Sequence, residues 1–104
     1  MARATPLSDA IQHYLRGIYK LGAGGGKVST TALAREMHVS PASASAMVKK
    51  LAALKLAEHA PYQGVSLTAD GEQVAVEVIR HHRLLELYLA ETLGIAVEEV
   101  HDEA

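Results

Sequence analysis

Residues 29–56, STTALAREMHVSPASASAMVKKLAALKL, decide the fold of this chain. In the first part of this stretch, apolar side chains recur at helical spacing, at Leu33, Ala34 and Met37. Ser40 followed by Pro41 is typical of the start of a second helix, because serine caps the first free amides and proline suits the first helical position. The apolar side chains of this second helix again follow the helical period, at Ala44, Met47, Val48, Leu51 and Leu54. A short helix, a turn of about three residues and a longer helix predict a helix-turn-helix.

The segments on either side predict one helix before this pair and a hairpin after it. Residues 7–21 have an amphipathic helical pattern, which the glycine-rich residues 22–26 end. Residues 56–67, LAEHAPYQGVSL, turn at Pro61 and Gly64 and predict a small β-hairpin, the wing of a winged helix. The predicted fold is therefore mostly α with a small β-hairpin, arranged as a winged helix-turn-helix.

A long helix is expected to follow the hairpin. It runs from about residue 68 to residue 93, with Thr68 as its N-cap and Gly94 as its end. A further helix is expected to open near Val97 and to continue to the end of the sequence.

The net charge of −2 hides an asymmetry between the two halves of the chain. Residues 1–57 carry eight Lys or Arg against two carboxylates, a formal charge of +6. Residues 58–104 carry two arginines against ten carboxylates, a formal charge of −8. This asymmetry favours an anionic partner for the first half and a cation or basic partner for the second, although an acidic surface that only aids solubility gives the same pattern.

The second helix of a helix-turn-helix presents its N-terminal residues to the major groove of DNA. The candidates here are small residues followed by two lysines, namely Ser40, Ala42, Ser43, Ser45, Ala46, Lys49 and Lys50. Hydroxyls can contact phosphates or base edges, alanine can contact a thymine methyl, and lysine neutralises phosphates. No Arg, Asn or Gln occupies the first two turns, so base readout is expected to depend on hydroxyls, methyl contacts and DNA shape. The simpler alternative is that these are helix-tolerant surface residues.

The hairpin tip, Tyr62-Gln63-Gly64, carries no positive charge. Any phosphate contact that the tip makes is therefore expected to be a neutral hydrogen bond.

Histidines and carboxylates gather in the second half of the chain. They form two pairs with i,i+4 spacing and one group in the tail: His82 with Glu86, His81 with Glu77, and His101 with Glu103. Residues four apart project from one face of a helix, and nitrogen and oxygen ligands suit Mn²⁺, Fe²⁺, Co²⁺, Ni²⁺ or Zn²⁺. The spacing alone favours a simpler interpretation, in which the pairs stabilise an exposed helix and bind no metal.

Five segments, in order, resemble the diphtheria toxin repressor and manganese transport regulator family. They are HYLRGIYKL (13–21), HVSPASASAMVKKL (38–51), YQGVSLTADG (62–71), HHRLLELYL (81–89) and VHDEA (100–104). No single segment is specific, but the order and spacing of all five are. The resemblance covers almost the whole chain.

The resemblance implies a homodimeric repressor that binds a double-stranded DNA operator when it is loaded with Fe²⁺ or Mn²⁺. Zn²⁺, Co²⁺ or Ni²⁺ would substitute in vitro. Residues 1–70 would be the winged-helix DNA-binding domain. Residues 71–104 would form the long linking helix and the start of a metal-binding and dimerisation domain, whose remaining ligands and helices would follow Ala104.

The resemblance also implies roles for individual residues. His82 and Glu86 fall on an ancillary-type metal site, with His101 as its third ligand. His13 falls on the first-helix metal position, which is methionine in iron-type members and aspartate in manganese-type members. Histidine is a good ligand but departs from both, so the preferred metal stays open. Three serines, Ser40, Ser43 and Ser45, fall on DNA-contacting positions.

Two other functions remain open at the level of sequence. One is a metal-independent winged-helix regulator that responds to a small molecule, and the other is a winged helix that serves only as a protein-interaction module. An enzyme is not expected, because no nucleophile–base pair is evident. The chain contains no cysteine, which excludes disulfides and thiolate metal ligands. It shows no signal peptide and no bilayer-spanning run, so a cytoplasmic location without a membrane partner is expected.

Overall fold

The structure, a computed structural model, describes residues 7–23 and 26–93. Its elements are helix α1 (Asp9–Leu21), helix α2 (Thr30–Met37), helix α3 (Pro41–Ala53), strand β1 (Ala57–Ala60), strand β2 (Gly64–Leu67) and helix α4 (Ala69–Leu93). The prediction of a mostly helical fold with one small hairpin is confirmed. Gly94 and the helix expected near Val97 lie outside the described residues.

Serine side chains determine where the first three helices begin. The hydroxyls of Ser8, Ser29 and Ser40 each accept a hydrogen bond from the amide three residues later, at 3.2, 3.0 and 3.1 Å. Each bond satisfies an amide that has no partner within its helix. Pro41 follows directly in the first turn of α3, where its missing N–H costs nothing.

The core lies where α1, α2, α3 and the hairpin meet. Its largest fully buried side chains come from every one of these elements or their edges: Leu15, Ile18, Leu33, Val48, Leu51, Leu56 and Val65. Leu21 and Leu54, two apolar residues at helical spacing, are 41% and 39% exposed. Leu21 is the last residue of α1 and Leu54 caps the end of α3, so each extends past the edge of the core.

The β1–β2 hairpin, called the wing below, is antiparallel, with Ala57 opposite Leu67 and Ala60 opposite Gly64. The strand-like residue Val28 pairs with the other edge of β2. Val28 and Val65 exchange both backbone hydrogen bonds, at 2.7 and 2.8 Å. The connection between α1 and α2 therefore anchors the wing.

The first turn of α4 is attached to the end of α3. The Thr68 hydroxyl caps α4 by accepting from the Gly71 amide at 3.1 Å, and it donates to the Lys55 carbonyl at 2.8 Å. The Thr68 amide donates to the Leu56 carbonyl at 3.1 Å. From this attachment α4 runs back along α1. None of the helices within residues 7–23 and 26–93 is long and apolar enough to cross a membrane.

Candidate nucleic-acid interface and metal centre

The turn between α2 and α3 occupies residues 38–40. His38 adopts the left-handed conformation, with φ 58°, and its amide turns back towards the end of α2. The Val39 amide donates to the Ala34 carbonyl at 3.0 Å, which closes the helix end. Ser40 then begins α3 as its N-cap. This three-residue turn holds α2 and α3 in the helix-turn-helix arrangement.

One side of α3 is buried and the other carries the candidate DNA-contacting residues. Ala44, Val48 and Leu51 are fully buried against the core. The exposed candidates are Ser40, Ala42, Ser43, Ala46, Lys49 and Lys50, and Ser45 is half-buried. The structure therefore brings the predicted residues together on one accessible surface, with Ser45 at its border.

The two leading serines of α3 have different bonding. The Ser40 hydroxyl accepts from the Ser43 amide at 3.1 Å and donates to the Ser43 hydroxyl at 3.0 Å. Ser40 thus uses its hydroxyl proton inside the protein. Ser43 accepts that bond, so its own proton can point towards a ligand.

The wing has a cation that the sequence did not reveal. Lys27, from the α1–α2 connection, donates from its Nζ to the Oε1 of Gln63 at the wing tip. The tip residues themselves are uncharged, as the sequence indicated. Lys27 and Gln63 are 36 positions apart, so no local sequence pattern predicts their contact. The sequence offered one hint, since the apolar Val28 after the glycine run could have been recognised as a residue that pairs with a strand.

The candidate metal ligands lie on α1 and on the facing side of α4. His13 is exposed on α1, whereas His82 is half-buried on α4. Glu86, one turn beyond His82, is only 6% exposed and is the buried charged residue of this region. His101 lies outside the described residues. The structure places His13 on α1 and His82 with Glu86 on α4, and these two helices pack against each other.

Arg16 is the residue of this region that the sequence interpretation missed. Its Nη1 donates to the Nδ1 of His82 at 3.3 Å and links α1 to α4. Because arginine can only donate, Nδ1 of His82 must be unprotonated, and the proton of the neutral ring lies on Nε2. Arg16 follows His13 by three residues on α1, so the shared helix face could have been noticed from the sequence.

Burial is the main cause that lowers the pKa of His82 below its ordinary value. The charge of Arg16 acts in the same direction, as do His81 and His13, whereas the Glu86 carboxylate opposes them. His82 is therefore neutral at pH 7, the form in which histidine binds metal. The influence of His13 on this pKa also places its ring in the electrostatic environment of His82.

The chemistry of these donors fits a divalent metal, since two imidazoles and a carboxylate are nitrogen and oxygen ligands. In the part of the chain that the structure describes, no three His, Asp or Glu side chains are close enough together to hold an ion. Arg16 also donates a hydrogen bond to Nδ1 of His82, the unprotonated ring nitrogen that would otherwise bind a metal. A metal site built on these residues would therefore need a rearrangement of their side chains and a further donor.

Two protein-family descriptions match this chain, one after the other along the sequence. Residues 6–65 match the family described as the iron dependent repressor, N-terminal DNA binding domain. Residues 68–104 match the iron dependent repressor, metal binding and dimerisation domain. This chain belongs to the iron-dependent repressor family. The resemblance seen in the sequence is confirmed, and the family is one of transcription repressors and not of enzymes.

Individual relatives agree with the family. The chain is 30% identical over 99 residues to an HTH-type transcriptional regulator of Methanocaldococcus jannaschii, covering 94% of this chain and 79% of that protein. It is 32% identical over 98 residues to the diphtheria toxin repressor of Corynebacterium glutamicum, covering 94% of this chain and 43% of the repressor. A manganese-dependent transcriptional repressor solved with manganese superimposes with a TM-score of 0.79 at 40% identity, covering 89% of this chain and 42% of that structure. The chain thus spans less than half the length of the diphtheria toxin repressor and of the manganese-dependent repressor.

Proposed function

We propose that this chain binds a double-stranded DNA operator through α3 and that a divalent metal controls this binding, as part of a repressor of metal-homeostasis genes. The exposed surface of α3 carries the proposal. Its first turns present hydroxyls and small side chains, and the exposed Lys49 and Lys50 follow them along the helix. Small residues allow the helix to lie deep in the major groove, and the lysines neutralise flanking phosphates.

The metal part of the proposal depends on the contact between α1 and α4. His13 from α1 and His82 with Glu86 from α4 would hold Mn²⁺ or Fe²⁺, with His101 as a further ligand. The bound ion would supply a positively charged link between these helices. Because α1 is part of the core of the DNA-binding unit and α4 packs along α1, such a link would favour one orientation of α4 relative to the wing and α3.

We propose that the operator-binding form is a homodimer. In the second half of α4, four large apolar side chains are exposed: Leu84, Leu85, Leu87 and Tyr88. A contiguous exposed apolar patch marks an interaction surface more often than isolated apolar residues do. The two recognition helices of a dimer must lie about one DNA turn, or a multiple of it, apart. Metal would therefore act by shifting the population that meets this spacing, without touching DNA.

Operator binding with Mn²⁺ and with a chelator tests this function against the two alternatives. The duplex is first selected from a random pool. We expect tight binding with Mn²⁺, loss of binding with chelator, and an affinity that falls steeply with salt. Chelator-insensitive binding would instead favour a metal-independent regulator. No salt-dependent DNA binding would favour a protein-interaction module.

The lysines of α3 provide one prediction. Lys49→Glu or Lys50→Glu is expected to weaken binding to selected and random duplexes alike, by about tenfold (~1.4 kcal/mol), because a phosphate contact becomes a repulsion. Fluorescence anisotropy measures both affinities. Arg80→Glu, on the exposed side of α4, is the matched charge reversal and is expected to have a smaller effect. Equal effects at all three positions would argue against this placement of the DNA.

The two serines provide another prediction. Ser43→Ala is expected to cost about 1 kcal/mol of affinity at particular base positions, because its outward hydroxyl donor is lost. A panel of operators with single base changes measures this. Ser40→Ala is the comparison variant. Because it removes the N-cap of α3, it is expected to lower the free energy of unfolding by about 1 kcal/mol instead of changing affinity at particular bases. A uniform loss across all duplexes for Ser43→Ala would make it a phosphate contact instead.

A further inference from the structure

The wing itself carries no lysine or arginine that could neutralise the DNA backbone. Residues 57–67 include Glu58 but neither lysine nor arginine. Sequence-independent affinity for DNA comes mostly from cations placed at phosphates. A wing with only these residues would contribute little to DNA binding, and the acidic Glu58 would oppose it.

The fold brings a cation to the wing from another part of the chain. Val28 is 4% exposed and exchanges two backbone hydrogen bonds with Val65. Gly64 packs so closely on Val28 that a Cβ at Gly64 would lie 2.5 Å from the Val28 carbonyl oxygen. Gly64 also has φ 102°, which favours glycine. These backbone contacts fix Lys27, the neighbour of Val28, beside the wing tip.

The side chain of Lys27 is directed along the wing. Its Nζ donates to the Gln63 side-chain oxygen, and both residues are exposed. An ammonium group has three N–H donors, so two stay available for phosphate oxygens. Tyr62, next to Gln63, is fully exposed at the tip and has a left-handed backbone, with φ 66°. The tip therefore presents a positively charged donor and a phenol hydroxyl outward.

We propose that Lys27 is a DNA-phosphate contact of the wing, held in position by Gln63. This inference rests on the proposed DNA binding and adds a second contact region to α3. Gln63 restrains the flexible lysine, which reduces the conformational freedom that the contact would otherwise cost. Lys27 is thus both bound to the wing and available to DNA.

Salt titrations of DNA binding test this proposal. The 104-residue chain is titrated against a fluorescent mixed-sequence duplex, with Mn²⁺ present throughout, and the slope of log affinity against log salt is measured. Lys27→Gln is expected to reduce this slope by about 0.9 per protomer and to weaken binding about eightfold per contact at 0.1 M salt. Gln63→Ala keeps the charge, so a smaller loss of affinity with an unchanged slope is expected. Arg80→Gln is the matched control.

The outcomes separate this inference from the proposed function. If Lys49→Gln reduces the slope but Lys27→Gln does not, the wing contact is wrong and the α3 interface stands. If neither does, the proposed DNA binding is itself contradicted. A Lys27→Gln variant that lowers the free energy of unfolding and leaves the slope unchanged would show that the Lys27–Gln63 bond only stabilises the wing.

Discussion

Gly71→Ala is expected to lower the free energy of unfolding by about 3 kcal/mol, because the added methyl group would overlap a backbone carbonyl oxygen. A Cβ at this position would lie 1.9 Å from the Leu56 carbonyl oxygen. Neither the Leu56 backbone nor the Gly71 backbone can easily move to relieve this overlap. Leu56 is bonded to Leu51 through its amide and to Thr68 through its carbonyl, and Gly71 donates to the Thr68 cap.

Urea unfolding followed by circular dichroism measures this loss. Gln73→Ala, two residues further along α4 at an exposed position, introduces the same side chain without a clash and is expected to be nearly neutral. A loss below about 0.5 kcal/mol for Gly71→Ala, the range of ordinary surface substitutions, would mean that α4 moves freely on the end of α3.

The combined change His82→Ala and Glu86→Gln is expected to weaken Mn²⁺ binding by about 100-fold, since even supporting groups around a metal contribute 10- to 100-fold. The same variant is expected to bind the selected operator with an affinity that no longer depends on Mn²⁺. Glutamine is used at position 86 because the residue is buried and alanine would leave a cavity. Calorimetric titration measures the metal, and anisotropy measures the DNA.

His81→Ala is the matched control for this change. His81 is the exposed neighbour of His82 and is expected to keep wild-type metal affinity. His13→Ala tests the contribution from α1 and is expected to weaken metal binding as well. Wild-type metal dependence in both His13→Ala and the double variant would contradict the proposed ligands. If His81→Ala lost as much Mn²⁺ affinity as the double variant, the loss would reflect a general effect of surface charge.

Some of the candidate site was predictable because its causes are local. The capping serines, the proline of α3 and the turn at residues 38–40 act within a few residues of their own positions, so their spacing predicted the helix-turn-helix. The exposed surface of α3 followed from the same periodicity. The pairing of His82 with Glu86 on one helix face was likewise local.

Other features depended on which distant segments come into contact. Arg16 meets His82 across 66 residues, and Lys27 meets Gln63 across 36. The sequence placed Gly71 within a long helix, and only the tertiary structure shows that a Cβ at this position would overlap the Leu56 carbonyl oxygen. The exposure of Leu21 and Leu54 was decided by where the core ends and not by helical period.

The sequence by itself determined the order of the elements and the helix-turn-helix, because capping, turn chemistry and periodicity operate over one or two turns. The candidate metal residues came from the family resemblance and not from their spacing. The tertiary structure alone decided that Lys27 supplies the charge of the wing and that Arg16 occupies the His82 ring nitrogen. It also decided that Glu86 is buried. These are consequences of α1 packing against α4 and of Val28 pairing with β2, and such contacts depend on the three-dimensional arrangement of segments that no local pattern encodes.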